Sequence, residues 1–278
     1  MPGRPPRVTR SRAIVLRHRR LGDADRIVSF LTENRGKVDA VAKGALRPRS
    51  KLAGHLEPAM HVDVLLAHGR NLDIVTQAQT IEGFPELHDD LELLTTAIYF
   101  TELADRFTVE RAESRALYEL LHAALVRLAR GDGLQLVTRR FELELLHETG
   151  FRPQWRDCIG CGRQVEEGRA AWSSLGGGVV CEGCRPAHPE ARAIETTTLK
   201  VLRAFQESEY EEAARIRLTP ELAANLERVM HRLMQSVAER ELKSQHFLTE
   251  ARRAGVASLA GDEAANEEAA GEQQPARS

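Results

Sequence analysis

Four cysteines stand in the chain as Cys158-Ile159-Gly160-Cys161 and Cys181-Glu182-Gly183-Cys184, two Cys-x-x-Cys pairs with 19 residues between them. This spacing suits a tetrahedral zinc site, because each tight turn lets two thiolates of one short segment reach the same ion. Gly160, Gly162 and Gly183 supply the permissive backbone such turns need. Four thiolates fill the shell of zinc and leave no position for a substrate, so the expected role is structural, with one ion per chain. Two disulfides, or a redox Cys-x-x-Cys pair, are the competing readings. Gly176-Gly177-Gly178 reads as a turn that places the second pair, and His188 as a loop residue beside it.

The second group with chemistry to offer is cationic. Residues 1–51 carry 14 Lys and Arg against Asp23, Asp25, Glu33 and Asp39, a net +10 that leaves 25 basic and 37 acidic residues, −12, for the rest. A basic end on an acidic body is the footprint of a polyanion-binding module, although a solvated basic face would show the same count. The candidate phosphate contacts are Arg17, Arg19, Arg20, Arg26, Arg35, Lys37, Lys43, Arg47, Arg49 and Lys51. Barrels that grip single strands by stacking need aromatic platforms, each worth roughly 1–3 kcal/mol per base. Through Glu82 the chain has one aromatic residue, Phe30, placed in an apolar run. Contact is therefore expected to be electrostatic and nearly blind to base identity, with the flexible 43–51 connection tracking the backbone.

Catalytic patterns are missing. There is no phosphate-binding Gly-x-x-x-x-Gly-Lys loop, no Gly-x-Ser-x-Gly elbow and no His-Glu-x-x-His, since His147-Glu148 lacks the second histidine. Nothing argues for an enzyme. The apolar run behind the basic N-terminus, Ala13-Ile14-Val15-Leu16, is too short for a signal peptide, which needs about 7–15 residues. The expected compartment is the cytoplasm, where thiols stay reduced and metal ligation competes well with disulfides.

These groups need elements to hold them. Ala13 to Arg17, Arg26 to Leu31, Lys37 to Ala42, Val62 to Ala67 and Leu72 to Ile81 read as strands, punctuated by turns at Gly22-Asp23, Asn34-Arg35-Gly36 and His68-Gly69-Arg70-Asn71. Five strands with a longer connection from Gly44 to Pro58 predict a Greek-key barrel of OB type. Helical periods follow from Pro85: Leu87, Leu91, Leu94 and Ile98 on one face, then Leu117, Leu120, Leu121, Leu125 and Leu128 on another. A helix over Leu134 to Thr149 is apolar on most sides and belongs deep in a bundle. Beyond the cysteines come a helix from Thr198 to about Phe205 and one opened by Thr219 as N-cap and Pro220 at N1. The expected fold class is multi-domain α+β. It comprises a basic disordered arm (1–10), a five-stranded OB domain (11–82), a helical domain (83–254) with a cysteine-bearing insertion over about 154–190, and a disordered acidic tail (255–278).

The residues also resemble a known family, the bacterial RecO recombination mediators, from about Ser11 to Phe247. The likeness is carried by Ala13-Ile14-Val15-Leu16, Leu21-Gly22-Asp23-Ala24-Asp25-Arg26-Ile27-Val28, Gly36-Lys37-Val38, and Ala42-Lys43-Gly44-Ala45 leading into Arg47-Pro48-Arg49-Ser50. Later pieces are Tyr99 with Glu102-Leu103, Arg140-Phe141-Glu142 with Leu145-Leu146, and Gly150-Phe151-Arg152-Pro153. The Pro/Arg-rich first ten residues and the acidic tail depart from it. The resemblance implies an OB domain, a helical domain and a zinc-binding insertion, the last not kept by every member. It implies binding to single- and double-stranded DNA, annealing of complementary strands, and work with RecR. Contact with the acidic C-terminal tail of the single-stranded-DNA-binding protein SSB would let RecA load on coated gaps, in the bacterial nucleoid. An RNA-binding factor and a scaffold for acidic protein tails are the rival functions. For the tail of SSB, Arg127, Arg130, Arg139 and Arg140 are candidates, each also readable as part of a solvated helix face.

Overall fold

In a computed structural model of the chain, residues 8–109, 112, 114–166 and 168–239 are described. The described residues up to Met234 belong to one compact unit. The expected acidic tail and most of the expected basic arm lie outside the described residues. Val8 to Arg10 of that arm belong instead to the first strand.

Five strands close a barrel in the order β1-β2-β3-β5-β4, where β1 is Val8–Leu21, β2 Asp25–Thr32, β3 Gly36–Ala42, β4 His61–Ala67 and β5 Asp73–Glu82. Neighbours are antiparallel apart from β3 and β5, which run parallel through Ala40–Asp73 and Val41–Ile74. β1 closes the barrel because it serves both sides, pairing β4 over Val8–Ile14 and β2 over Ala13–Leu21. A bulge between Val15 and Arg17 bends it from one partner to the other. The five expected strands are all present, and the fold is the OB type that the run spacing predicts.

Alternate residues fill the barrel: Ala13 and Val15, Val28 and Phe30, Val38, Ala40 and Ala42, Val62, Val64 and Leu66. The connection between β3 and β4 contributes Ala45 and Leu56 to the same core. It is therefore not the flexible segment expected from its prolines and charges. Leu46 N–H donates to the Ala24 carbonyl at 2.9 Å and Gly44 N–H to Asp25 Oδ1 at 2.7 Å, which pins it to the β1–β2 turn.

The outward residues of β1 and β2 are buried as well. Ile14, Leu16, Ile27, Ser29 and Leu31 are at most 4 % exposed, because α2 (Leu91–Phe107) and α3 (Arg115–Ala129) pack against these strands. Burial on both faces explains why Ala13–Leu16 and Ile27–Leu31 read as unbroken apolar runs instead of alternating ones. Asp105 of α2 ties the layers together: it accepts from Arg17 Nε at 2.7 Å, and Lys37 Nζ lies 3.3 Å from its other carboxylate oxygen and donates to its carbonyl at 2.7 Å.

Pro85–His88 forms a single turn, α1, entered through a left-handed Phe84. Asp90 then caps α2 by accepting from the N–H groups of Glu92 and Leu93. Here the expected stripe fails. Leu91 is 77 % exposed, and the buried face is instead Ala97, Phe100, Thr101, Leu103, Ala104 and Phe107. Leu87 lies in the preceding turn, so the two segments never share one helical phase. α3 buries Leu117, Tyr118, Leu121, Ala124, Leu125 and Leu128. α4 (Leu134–Glu148) is the central helix expected, and its buried set includes a charged pair, Arg139 with Glu142 at 3.2 Å. Tyr99 donates to Glu142 at 2.7 Å. Burial holds both the Tyr99 hydroxyl and the Glu142 carboxyl above their ordinary values, the latter despite Arg139. After the cysteine segment come α5 (Thr196–Glu207), the short α6 (Tyr210–Ala213) and α7 over 220–239. Thr219 Oγ1 accepts from Leu222 N–H at 3.3 Å, as an N-cap should. Among the described residues no helix is long and apolar enough to cross a membrane.

Phe30 is fully enclosed in the barrel, so Phe30→Ala is expected to cost about 3–5 kcal/mol in urea-induced unfolding. Leu91→Ala, on the exposed side of α2, should stay within about 0.5 kcal/mol of the parent.

Candidate metal centre and nucleic-acid interface

The chain between α4 and α5 carries a three-stranded sheet in the order β7-β6-β8: β6 Ala171–Ser173, β7 Gly178–Val180 and β8 Arg192–Ala193. The sheet positions both cysteine pairs. Val179 N–H donates to the Gln154 carbonyl at 2.8 Å and its carbonyl accepts from Ile159 N–H at 2.9 Å, so the first pair is laced to β7 by backbone bonds. Glycine is required there. A Cβ on Gly178 would lie 2.6 Å from the Gln154 oxygen and 2.7 Å from Ile159 Cγ2. The triple glycine thus seats the first pair against the hairpin, while β7 runs straight into the second, whose 3-10 turn spans Glu182–Ala187.

The four sulfurs converge, all within 4.8 Å of one another. Cys161 Sγ and Cys181 Sγ are 3.8 Å apart. A zinc–sulfur bond of ~2.3 Å in a regular tetrahedron gives an edge of about 3.8 Å, whereas a disulfide bond is about 2.05 Å. All four cysteines are free. Backbone N–H groups of Gly160 and Cys181 point at Cys158 Sγ, at 3.4 and 3.3 Å. Burial opposes ionisation of Cys158, but these donors outweigh it and hold the thiol below its ordinary value. Hydrogen bonding by Arg163 pulls Cys161 down to about 6. Cys184 is pushed up to about 12 because it shares its proton with the sulfurs of Cys181, Cys161 and Cys158. The donor set fits a thiophilic ion with a closed shell. His188 stands outside the four-sulfur group, half-buried and 3.9 Å from Glu190.

The ten basic residues separate into two classes. Arg17 and Lys37 are held by Asp105, Arg26 by Glu57 at 2.8 Å and Arg35 by the buried Asp73 at 2.8 Å. Each of these four already neutralises a carboxylate in the fold, which leaves it less available to a phosphate than a cation without such a partner. Arg19, Arg20, Lys43, Arg47, Arg49 and Lys51 are exposed. The first five come together: Arg20 pairs Arg26 in the β1–β2 register, Arg26 pairs Ala42, and Lys43 follows directly. The bonds from Leu46 to Ala24 and from Gly44 to Asp25 bring the 43–49 segment onto that same turn. Lys51 lies apart, lining a depression of about 670 Å³ with Arg10, Asp63 and Gln79 on β1, β4 and β5. Phe30 offers no platform to a base, being buried in the core. The sequence reading missed Asp25, the residue that anchors the basic segment, although an acidic residue in a turn otherwise rich in arginine was a visible signal.

Of the helix arginines, Arg139 is buried against Glu142, and Arg140 donates to the carbonyls of Phe205 and Ser208 while pairing with Glu144. Neither sits on a solvated face. Arg127 stacks 3.7 Å over the Tyr210 ring, and Arg130 is exposed.

Residues 7–84 match the family described as Recombination protein O N terminal, and residues 88–246 the one described as Recombination protein O C terminal. A protein named DNA repair protein RecO from Roseiflexus sp. is 36% identical over 247 residues, covering 89% of this chain and 87% of its own. Another of that name from Dehalococcoides mccartyi is 34% identical over 251 residues, 90% and 99% of the two chains. One from Desulforudis audaxviator is 37% identical over 246 residues, 88% and 97%. The chain belongs to the RecO family.

Binding of a metal by four thiols must displace protons, so affinity rises with pH. In competition with a chromophoric chelator, apparent Zn²⁺ affinity should fall about tenfold per pH unit for each proton displaced as pH drops from 8 to 6. Cys161→Ser should lower that affinity at least a hundredfold and reduce the melting temperature of the metal-loaded protein.

Proposed function

We propose that this RecO family member is a non-enzymatic DNA repair and recombination mediator whose DNA contact is the basic end of the barrel, around the β1–β2 turn and residues 43–49. The observation carrying this reading is the sorting of cations: Arg19, Arg20, Lys43, Arg47 and Arg49 make no ion pair among the described residues and lie on adjoining segments, with no aromatic platform beside them there. OB barrels commonly bind through the strand 2–3 face and flanking loops. In this chain the outer side of β2 is covered by helices, which leaves the β1–β2 loop and the adjoining connection for a polyanion. Contact through phosphates leaves base edges unoccupied and free to pair, as annealing of complementary strands requires. Single- and double-stranded DNA would both bind.

The partners follow from the family. With RecR, the protein would help RecA load on single-stranded DNA coated by SSB. An acidic, partly apolar tail such as that of SSB needs an apolar floor beside positive charge. A groove of about 760 Å³ where α4 starts and α6 ends offers an apolar floor of Leu134, Leu136, Ile216 and Leu218, with Arg215 on its rim beside the carboxylates of Asp132 and Glu211. Tyr210 lines it too, carrying Arg127 on its ring. The four cysteines would hold one structural zinc ion, since a closed thiolate shell leaves no substrate position.

Fluorescence anisotropy with labelled single-stranded DNA over a salt series tests the DNA assignment. Five phosphate contacts at about −0.7 each give a log–log slope near −3.5, roughly a hundredfold loss between 50 and 200 mM salt. Replacing Lys43, Arg47 and Arg49 by alanine should flatten the slope by about 2 without altering base preference. Lys37→Ala should lower the melting temperature and leave the slope unchanged. A salt-independent affinity, or equal effects of the triple and single variants, would contradict the assignment.

A further inference from the structure

A second convergence of metal-ligating atoms lies where the barrel meets α3, far along the chain from the cysteines. His61 opens β4 and pairs across the sheet with Glu82, the last residue of β5, beside a bulge. Bulges re-aim side chains, and here two neighbours on the barrel rim turn toward the same helix. α3 presents Tyr118 and, one turn later, His122. His61 Nδ1 lies 2.8 Å and His122 Nε2 2.5 Å from one oxygen, Glu82 Oε2. The two imidazole centroids are 4.5 Å apart, and the three donor atoms all fall within 4.8 Å of one another.

We propose that His61, Glu82 and His122 form a second metal site, an open three-ligand site for a divalent ion of zinc-like preference that clamps α3 to the barrel. Two imidazoles and one carboxylate are a donor set used by zinc sites that keep an open position. The remote nitrogen of His61 is bonded to Tyr118 Oη at 2.8 Å, the outer partner that ligating histidines typically have. When that nitrogen carries the proton and donates to Tyr118, Nδ1 and Glu82 Oε2 face each other as two acceptors, and a cation satisfies both. In the other tautomer Tyr118 donates, and Nδ1–H closes a hydrogen bond to Glu82. The metal-free and metal-bound forms thus differ by one reversible flip of the Tyr118 bond.

The site can open to the required size. Ligand distances of ~2.0–2.2 Å in a tetrahedron need edges of about 3.4 Å, so the present 2.5–2.8 Å contacts must widen by less than an ångström. His61 is fixed at 6 % side-chain exposure, while Glu82 and His122 are partly exposed at 40 % and 31 %, able to move and to admit an ion with its water.

The test is metal uptake by the full-length protein after stripping with a chelator, read by titration with Zn²⁺ and by Co²⁺ absorption. Wild type should take two equivalents. One gives the intense thiolate-to-cobalt band in the near ultraviolet, and the other gives weak visible bands without it. His122→Ala and Glu82→Gln should each lose the second equivalent and keep the thiolate signal, whereas Cys161→Ser should lose only the thiolate signal. Tyr118→Phe should retain the second equivalent with affinity lowered about 10- to 100-fold. A single equivalent in stripped wild type overturns the proposal whatever the variants do, as does a second equivalent that survives His122→Ala with unchanged affinity.

Discussion

The first two strands of the barrel are covered twice. Their inward residues, Ala13, Val15, Val28 and Phe30, fill the barrel, while their outward residues, Ile14, Leu16, Ile27 and Leu31, are sealed by α2 and α3. With both faces buried, a slip of one residue would exchange the two apolar sets, so register rests on their fit: Ala13, Val15, Val28 and Phe30 to the barrel interior and Ile14, Leu16, Ile27 and Leu31 to the helices. The same coverage removes the flank of β2 from any ligand. It also demands charge neutralisation at the seam, where Asp105 of α2 takes both Arg17 and Lys37.

What remains for a polyanion is therefore set by subtraction. A charge of +10 over residues 1–51 overstates the field available to a ligand, since several of those cations are spent inside the fold. Among the described residues, Arg19, Arg20, Lys43, Arg47 and Arg49 make no ion pair and lie on the β1–β2 turn and the segment pinned to it, while Lys51 lies apart. That segment is held by buried Ala45 and Leu56 at its ends and by Asp25 beside it. It is a fixed basic ledge, which limits the ordering entropy that binding would otherwise cost. The cysteine segment obeys similar logic on a smaller scale: besides a small buried set around Trp155, Trp172, Val179 and Val180, it is organised by convergence of four sulfurs and by glycines that let Ile159 meet β7.

Much of this was legible in the residues. The barrel strands could be read because Val, Ile and Leu runs end at Gly22, Asn34–Gly36 and His68–Asn71, and turn chemistry is local. The cysteine pairs could be read because both halves of each ligand turn lie within four residues. Thr219 and Pro220 announced α7 for the same reason. The α2 stripe misled because Leu87 belongs to a separate turn, and the real packing face uses Ala97, Thr101 and Ala104, residues of weak hydropathy. Pairing partners were not legible. Asp105 is 88 positions from Arg17, and Glu82 is 40 from His122, so no spacing rule connects them. Nor could the sequence show that Arg139 and Glu142, three residues apart on a helix, turn inward and satisfy each other in the bundle.

The central claim is that helix coverage confines DNA contact to one end of the barrel. Amide hydrogen exchange of the full-length chain, with and without saturating single-stranded DNA at low salt, tests it most directly. The account predicts DNA-dependent protection over residues 19–26 and 43–50, lost on raising the salt, with β4, β5 and α4 unchanged. Protection centred on Thr76–Gln79 or on α4, or protection that persists at high salt, would contradict it.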